Sequence, residues 1–345
     1  MALATSHDTI ARRVRRTLDE ADASLVGRRV LALCSGGADS VALVALLGAL
    51  PRGAAPASID VLFVDYGLRD SAAELDAARA AAERVGATFH SLAVALDVEE
   101  GNFEAIARER RYVAARELAG TAGCDVACTG HTASDQLEQA LLALVGVTGA
   151  AGRLDAMPVT RRLDDGLQLV RPLLALTRAE TEQACRDAGL AWADDPTNDD
   201  PDAHARNAVR HRVIPPLLEV APGAGQAIVR AARRERDRAG STRAIADALL
   251  DAWTPDAQAG ASSIDVRRLA PLPPGARQEL LAAWLGRAGL GRALTSRAVD
   301  AVDRLAVLPG RAACSRVDLG RGTCVRRDGY DLTFTSPLDT EGPTP

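Results

Sequence analysis

The sequence predicts an α/β chain: a parallel sheet built from βαβ units, followed by a smaller, mostly helical domain. Three observations carry this. Residues 29 to 190 alternate short aliphatic runs with longer stretches of helical spacing, the pattern of parallel strands divided by helices. From 222 to about 306 the pattern is almost wholly helical, interrupted by Pro and Gly at 271–275. A length of 345 residues favours two domains over one. The change of character after about 195 places them at 1–212 and 213–335, with 336–345 a flexible tail.

Each element has its own signal. The N-terminal "MALATSHDTIARRVRRTLDE" reads as a helix with a polar face. Strands are expected at 29–34 (RVLALC), 59–64 (IDVLFV), 87–92 (ATFHSL) and 125–129 (DVACT), with a fifth near 167–170 (LQLV). Helices are expected at 39–50, 71–85, 103–119, 135–146 and 177–188, where the spacing is helical and breakers are few. Two strand-like pieces follow near 310–317 and 322–334. In such a fold the carboxyl ends of the parallel strands form the functional edge.

Composition narrows the chemistry. Hydrophobic residues make up 47% of the chain and aromatics only 3%, so the core is aliphatic. All 41 basic residues are arginine, which excludes any mechanism that needs a lysine of this chain. The net charge of −5 speaks against no particular partner. Six cysteines, at 34, 124, 128, 185, 314 and 324, form no CxxC and read as thiols in a reducing compartment. No run of 18 apolar residues and no leader pattern appears, so the expected location is cytoplasmic, with no membrane partner.

The strand at 29–34 ends in "SGGADS". Glycines at 36 and 37 let backbone amides approach a phosphate, and Ser35 and Ser40 add hydroxyls at a helix N-terminus, where an anion is favoured. Asp39 would repel that anion unless a divalent cation joined the two. The competing reading is a tight turn capped by Asp or Ser. The loop is neither GxxxxGK[ST] nor GxGxxG.

An SGGxDS loop after a strand resembles that of the N-type ATP pyrophosphatases, the PP-loop family. The resemblance implies a Rossmann-like, adenine-nucleotide α-hydrolase-like sheet. It also implies ATP as cosubstrate, transfer of AMP to a carbonyl-type oxygen, and release of pyrophosphate. Four further segments resemble the tRNA(Ile)-lysidine synthetases within that family. "VDYGLRDSAAE" (64–74) offers Arg69 near the strand ends, with Tyr66 where histidine is usual; Ser71 and Glu74 also read as a capping box. "GNFEAIARERRYVAARE" (101–117) matches at Asn102, Glu104, Arg108, Arg111 and Tyr112, with Glu104–Arg108 readable as an i,i+4 ion pair.

"TGHTASDQLEQ" (129–139) supplies Gly130, His131, Asp135, Gln136 and Glu138, while Ser134 and Gln139 depart from the pattern, as do Gly146 and Val147 further on. The run from 169 to 217 matches most fully, at Arg171, Arg178, Glu180, Trp192, Asp195, Thr197, Asn198, Arg206, Asn207, Arg210, Ile214 and Pro215.

The resemblance therefore implies a ligase. ATP would activate C2 of the wobble cytidine of a CAU-anticodon tRNA(Ile), and an amine of free L-lysine would then displace AMP. The expected catalytic residues are Asp39, Arg111, His131 and Asp135. ATP would lie on Ser35, Gly36, Gly37, Asp39 and Ser40, with Mg²⁺ between Asp39 and Asp135. Arg69, Arg108, Glu138, Arg171, Arg178, Asn198, Arg206, Asn207 and Arg210 would contact tRNA or substrate, and a homodimer is an open oligomeric state. Two neighbouring readings keep the fold. A tRNA thiolase would need cysteine pairs that this chain lacks, and a small-molecule nitrogen-ligating synthetase would lack the 169–217 run.

Overall fold

The computed structural model describes residues 2–67, 70–95, 103–147, 154, 156–163, 166–194, 200–202, 205–253, 263–290, 294–309, 312–320 and 322–335. By internal packing the chain divides into two units, residues 1–234 and 235–345.

The first unit opens with α1 (Ala2–Glu20), then alternates β1 (Arg29–Leu33), α2 (Ala38–Gly48), β2 (Ser58–Asp65), α3 (Ala72–Val85), β3 (Thr88–Ala93), α4 (Phe103–Ala122), β4 (Val126–Thr129) and α5 (Ala133–Leu144). A short hairpin of β5 (Thr160–Arg162) and β6 (Gln168–Val170) precedes α6 (Arg178–Ala188). The six strands lie in the order β3-β2-β1-β4-β6-β5. All pairings are parallel except that of β5 with β6. The five strands expected from sequence form that parallel set. β5 was not expected, because "TRR" is a three-residue polar edge strand without alternation.

Side-chain alternation along β1 divides the core between the two faces of the sheet. Val30 and Ala32 pack with α2, α3, α6 and α1 through Val41, Val44, Ala78, Cys185 and Val14. Leu31 and Leu33 face α4, through Tyr112 and Ala115, with Leu62, Ala127 and Leu169 alongside. The chain crosses from β3 back to β4 next to β1, so the connections leaving β1 and β4 run to opposite directions of the sheet. That switch point opens a crevice at the strands' carboxyl ends.

One local expectation changes. Ser71 precedes α3 but makes no side-chain cap; Asp70 Oδ1 instead accepts from Ala72 N at 3.0 Å. Complete capping boxes occur at Thr132–Asp135 and Thr177–Glu180. The Glu104 side chain of the expected ion pair lies outside the described side chains.

α7 (Ala205–Ala208) passes through a widened turn at Val209–Val213 into α8 (Ile214–Val220), whose prolines occupy its first turn. α9 (Ala224–Trp253) holds the division between units. The second unit adds β7 (Ser263–Asp265), α10 (Val266–Leu269), α11 (Pro274–Leu285), α12 (Ser296–Ala306), β8 (Ala312–Gly320), β9 (Thr323–Gly329) and β10 (Asp331–Thr335). Its sheet, in the order β7-β10-β9-β8, is antiparallel throughout. β7 interrupts the helical pattern read over 222–306, and the piece at 322–334 is two strands that turn at Gly329–Tyr330.

Among the described residues no helix is long and apolar enough to cross a membrane. The five cysteines with described side chains are free, four of them buried.

Candidate active site

The loop after β1 is shaped by its own serines. Ser40 Oγ accepts from Ser35 N at 3.1 Å and donates to Gly37 O at 2.9 Å, which folds the loop over the start of α2. Gly36 has φ +82°, and a Cβ there would sit 2.3 Å from Glu74 O, so only glycine fits between the loop and α3. α2 is preceded by Gly37, which has no side chain to cap it, so its first amides have no side-chain cap. That arrangement suits an anion. Ser40, expected as a direct ATP contact, is buried and spends its hydroxyl on the loop, while Ser35 is exposed.

The loop after β4 meets this one at the switch point. A Cβ on Gly130 would lie 2.7 Å from Asp39 O, so the two backbones touch there. Asp39 projects from the first turn of α2 and accepts a hydrogen bond from Thr181 of α6. Burial pushes its carboxyl up to about 6, and the negative charge of Asp135 adds to this against Thr181, Arg178 and Arg210. Asp135 Oδ2 accepts from Thr132 N at 2.7 Å and Thr132 Oγ1 at 2.8 Å. Its Oδ1 has no partner among the described residues.

Two carboxylates near an anion-binding loop fit a cation that arrives on phosphates, because Mg²⁺ needs only one or two protein carboxylates beside phosphate and water. Among the described residues no cluster of three or more His, Cys, Asp or Glu could hold a resident metal.

His131 ties Nδ1 to Thr129 Oγ1 at 2.8 Å. Desolvation holds its imidazole down at about 4, with Arg171, Arg108 and Arg206 acting in the same direction against Asp135. It is therefore neutral at pH 7 and suited to hydrogen bonding rather than to charge pairing.

Glu138 is 1% exposed and organises the basic segment behind the site. Arg210 grips it with two bonds, Nε to Oε1 at 2.7 Å and Nη2 to Oε2 at 3.1 Å. Arg206 Nε lies 3.3 Å from Oε2, an ion pair without hydrogen-bond alignment. Asn207 is buried and donates to Asp200 O at 2.9 Å, fixing the approach to α7. Arg178 starts α6; its backbone amide donates to Ser134 Oγ at 3.3 Å and its side chain reaches Glu182 at 3.6 Å. Ser134, a departure from the family pattern, thus joins the two loops.

The structure gathers Asp39, His131, Asp135, Glu138, Arg108, Arg171, Arg178, Arg206 and Arg210 around the ends of β1, β4 and β6, close enough for their charges to act on one another. Arg111 stands further along α4, donating from Nε to Tyr66 OH at 3.2 Å, beside the end of β2. Arg69 and Asn198 lie outside the described residues. Thr132 and Thr181 were missed by the sequence reading. A threonine three residues before an aspartate carries a capping signal that names Thr132, but nothing local shows that Thr181 faces Asp39.

Known families match this arrangement along the chain. The PP-loop domain family matches residues 7–217, and the TilS substrate binding domain matches 264–330. A tRNA(Ile)-lysidine synthase from Salinispora arenicola is 39% identical over 343 residues, 97% of this chain and 98% of that one. The chain belongs to the tRNA(Ile)-lysidine synthase family. Similar synthases occur in Parasynechococcus marenigrum, at 33% identity over 98% of this chain and 97% of that one, and in Streptomyces coelicolor, at 33% over 93% and 89%. Among solved structures, the U34-tRNA thiolase NcsA of Methanococcus maripaludis shares the fold, with TM-score 0.55 and 17% identity over 67% of this chain and 80% of that one. As a member of the lysidine synthase family the chain is a ligase, with ATP-dependent adenylating chemistry directed at tRNA.

Proposed function

We propose that this protein joins free L-lysine to C2 of the wobble cytidine in a CAU-anticodon tRNA(Ile). The cytidine C2 oxygen attacks the α-phosphate of ATP and pyrophosphate leaves. A deprotonated amine of lysine then attacks C2, and AMP departs with the former C2 oxygen. The observation that carries this reading is the meeting of the Asp39 loop and the His131–Asp135 loop at the switch point, where Gly130 permits backbone contact.

In this reading the loop amides and Ser35 hold the phosphate end of ATP. Asp39 and Asp135 Oδ1 would hold Mg²⁺, which supplies charge neutralisation at the phosphates. Thr181 orients Asp39, and the Thr132 cap orients Asp135. His131, neutral and tied through Nδ1, presents Nε2 to a phosphate or base oxygen. Asp135 or a phosphate oxygen receives the amine proton. Arg111, held at Tyr66, reaches the phosphates or the activated intermediate. Arg69, Arg178, Asn198, Arg206, Asn207 and Arg210 belong to the tRNA and substrate side, where Glu138 sets the spacing of Arg206 and Arg210. Unstacking of the wobble base gives access to C2. A homodimer is compatible with this scheme.

The test is to incubate the protein with ATP, Mg²⁺, labelled lysine and a CAU-anticodon tRNA(Ile) transcript, with methionine tRNA as control. Label enters only the isoleucine transcript, with one AMP per lysine, and Asp39→Ala lowers the rate at least about a thousandfold. Unlabelled tRNA(Ile), as inert as the methionine control, overturns the assignment.

A further inference from the structure

Three guanidinium groups converge on one tyrosine at the edge of the site. Tyr112 of α4 is buried, with Arg108 5.6 Å and Arg161 5.4 Å from its ring centroid. Arg171, which follows β6, is 1% exposed and donates from Nη1 to Pro158 O at 2.7 Å, while its Nε is buried without a hydrogen-bond partner. Among the described residues no carboxylate pairs with any of the three. Burial holds the Arg171 guanidinium down at about 10, and the positive charges of Arg108 and Arg161 act in the same direction against the Tyr112 hydroxyl. Like charges brought together this way repel, and a buried cation without a counter-charge is costly. Every other buried arginine described has an acid or a run of carbonyls: Arg277 has Asp303, and Arg327 has Leu305 O, Ala306 O and Leu308 O.

The cluster borders the site through Arg108 and Arg171, which act on His131, but it stands away from the glycine loop. The loop leads into α2, which packs on one face of the sheet, whereas Tyr112 packs with Leu31, Ala127 and Leu169 on the other. Arg161 stands on β5, three strands from β1 and therefore about 14 Å across the sheet. Arg108 and Arg161 are exposed while Arg171 is not, giving two accessible arms beside a buried charge. Guanidinium forks match the geometry of a phosphate, and the aromatic face keeps the arms in place.

We infer that Arg108, Arg161 and Arg171 around Tyr112 form a second anion site that grips a backbone phosphodiester of the RNA substrate, with Arg161 its unassigned outer arm. The inference rests on the proposed tRNA substrate. Such a contact positions the RNA without reading its sequence.

Binding of fluorescent CAU-anticodon tRNA(Ile) transcript across a salt series tests it, using the full chain and Arg161→Ala, Arg161→Glu and Arg162→Ala. Arg161 and its neighbour Arg162 point to opposite faces of β5, so both alanine variants lose one charge at nearly the same place. Arg161→Ala weakens binding about tenfold and lowers the slope of log Kd against log salt by roughly 0.7–0.9, the value of one phosphate contact. Arg161→Glu weakens it further, and Arg162→Ala changes the slope by less than half as much. Equal effects of Arg161→Ala and Arg162→Ala would mean diffuse attraction and overturn the site. So would an unchanged tRNA affinity, or a raised KM for lysine or Kd for ATP with tRNA affinity kept, since the anion would then be a small substrate. If the unmodified protein fails to bind the transcript, the proposed function falls as well. Binding that is kept in Arg161→Ala with its slope intact removes this inference alone.

Discussion

Buried charge is handled differently in the two units. In the second, Arg277 is matched by Asp303 and Leu272 O, and Arg327 closes the end of α12 through three carbonyl oxygens. In the first, Asp39 lies beside Asp135, Glu138 must serve two arginines, and Arg171 has a free Nε. Among the described residues, every buried side-chain nitrogen or oxygen without a hydrogen-bond partner falls between Ser58 and Arg206, and three of the six (on Gln136, Arg171 and Arg206) border the crevice. Satisfied buried charge fixes a fold. Buried charge left short of partners at the carboxyl edge of a parallel sheet marks where ligands complete the set.

The sharpest way to break this contrast is to remove one partner on each side. Asp303→Ala strands Arg277 and costs the protein about 3–5 kcal/mol, read from urea unfolding. Pairing it with Arg277→Met restores most of that loss, because a satisfied ion pair can be replaced by packed apolar groups. Glu138→Ala has a similar initial cost, since it leaves Arg206 and Arg210 facing each other. Adding Arg210→Met recovers stability there without recovering lysine incorporation. If incorporation returned with stability, the Glu138 network would be as purely structural as the Arg277 pair.

Asp39 gives the next largest effect, and its sign is unusual. A carboxyl raised from 3.8 to about 6 is more easily protonated in the folded than in the unfolded chain. Ionised Asp39 therefore lowers stability above pH 6, and the loss disappears as pH falls toward 4. Asp39→Asn should stabilise the ligand-free protein by about 2–3 kcal/mol at pH 8 and by almost nothing at pH 4, while abolishing ligation. Equal stability of the two proteins at pH 8 would show that Asp39 is not strained by its burial.

Much of this was legible in the chain because the chemistry is local. Gly36, Gly37 and Asp39 announce an anion loop within six residues, and the aliphatic runs at 29–34 and 125–129 fix the strands that carry both loops. What stayed hidden depends on tertiary approach. Thr181 reads as an ordinary helical residue until α6 packs on α2, and Glu138 gives no sign that Arg206 and Arg210, some seventy residues on, will close over it. Arg161 needs the β5–β6 hairpin, whose three-residue strands lie below what alternation can detect. The Ser71–Glu74 signature is not realised: Ser71 makes no side-chain cap, and Asp70, one residue earlier, holds the amide of the helix's first residue, Ala72.

His131 supplies the smallest effect and the finest test of the contrast. Its imidazole titrates at about 4 in the folded protein and near 6.5 in the unfolded chain, so the unfolded state binds the proton first. Stability is lost as pH falls from 6.5 toward 4, by about 1–2 kcal/mol because the ring is only half-buried. Over much of the same window Asp39 gains stability on acidification, so the two slopes oppose each other. The unmodified protein should show a shallow pH dependence between 4 and 6.5, hiding two steeper ones. His131→Gln leaves the Asp39 slope alone and makes the protein more stable at pH 5 than at pH 7, whereas Asp39→Asn leaves the His131 slope and reverses the order. Urea midpoints at the two pH values measure both. If the single variants have parallel profiles, the two groups do not share the crevice electrostatics that distinguish this unit from the other.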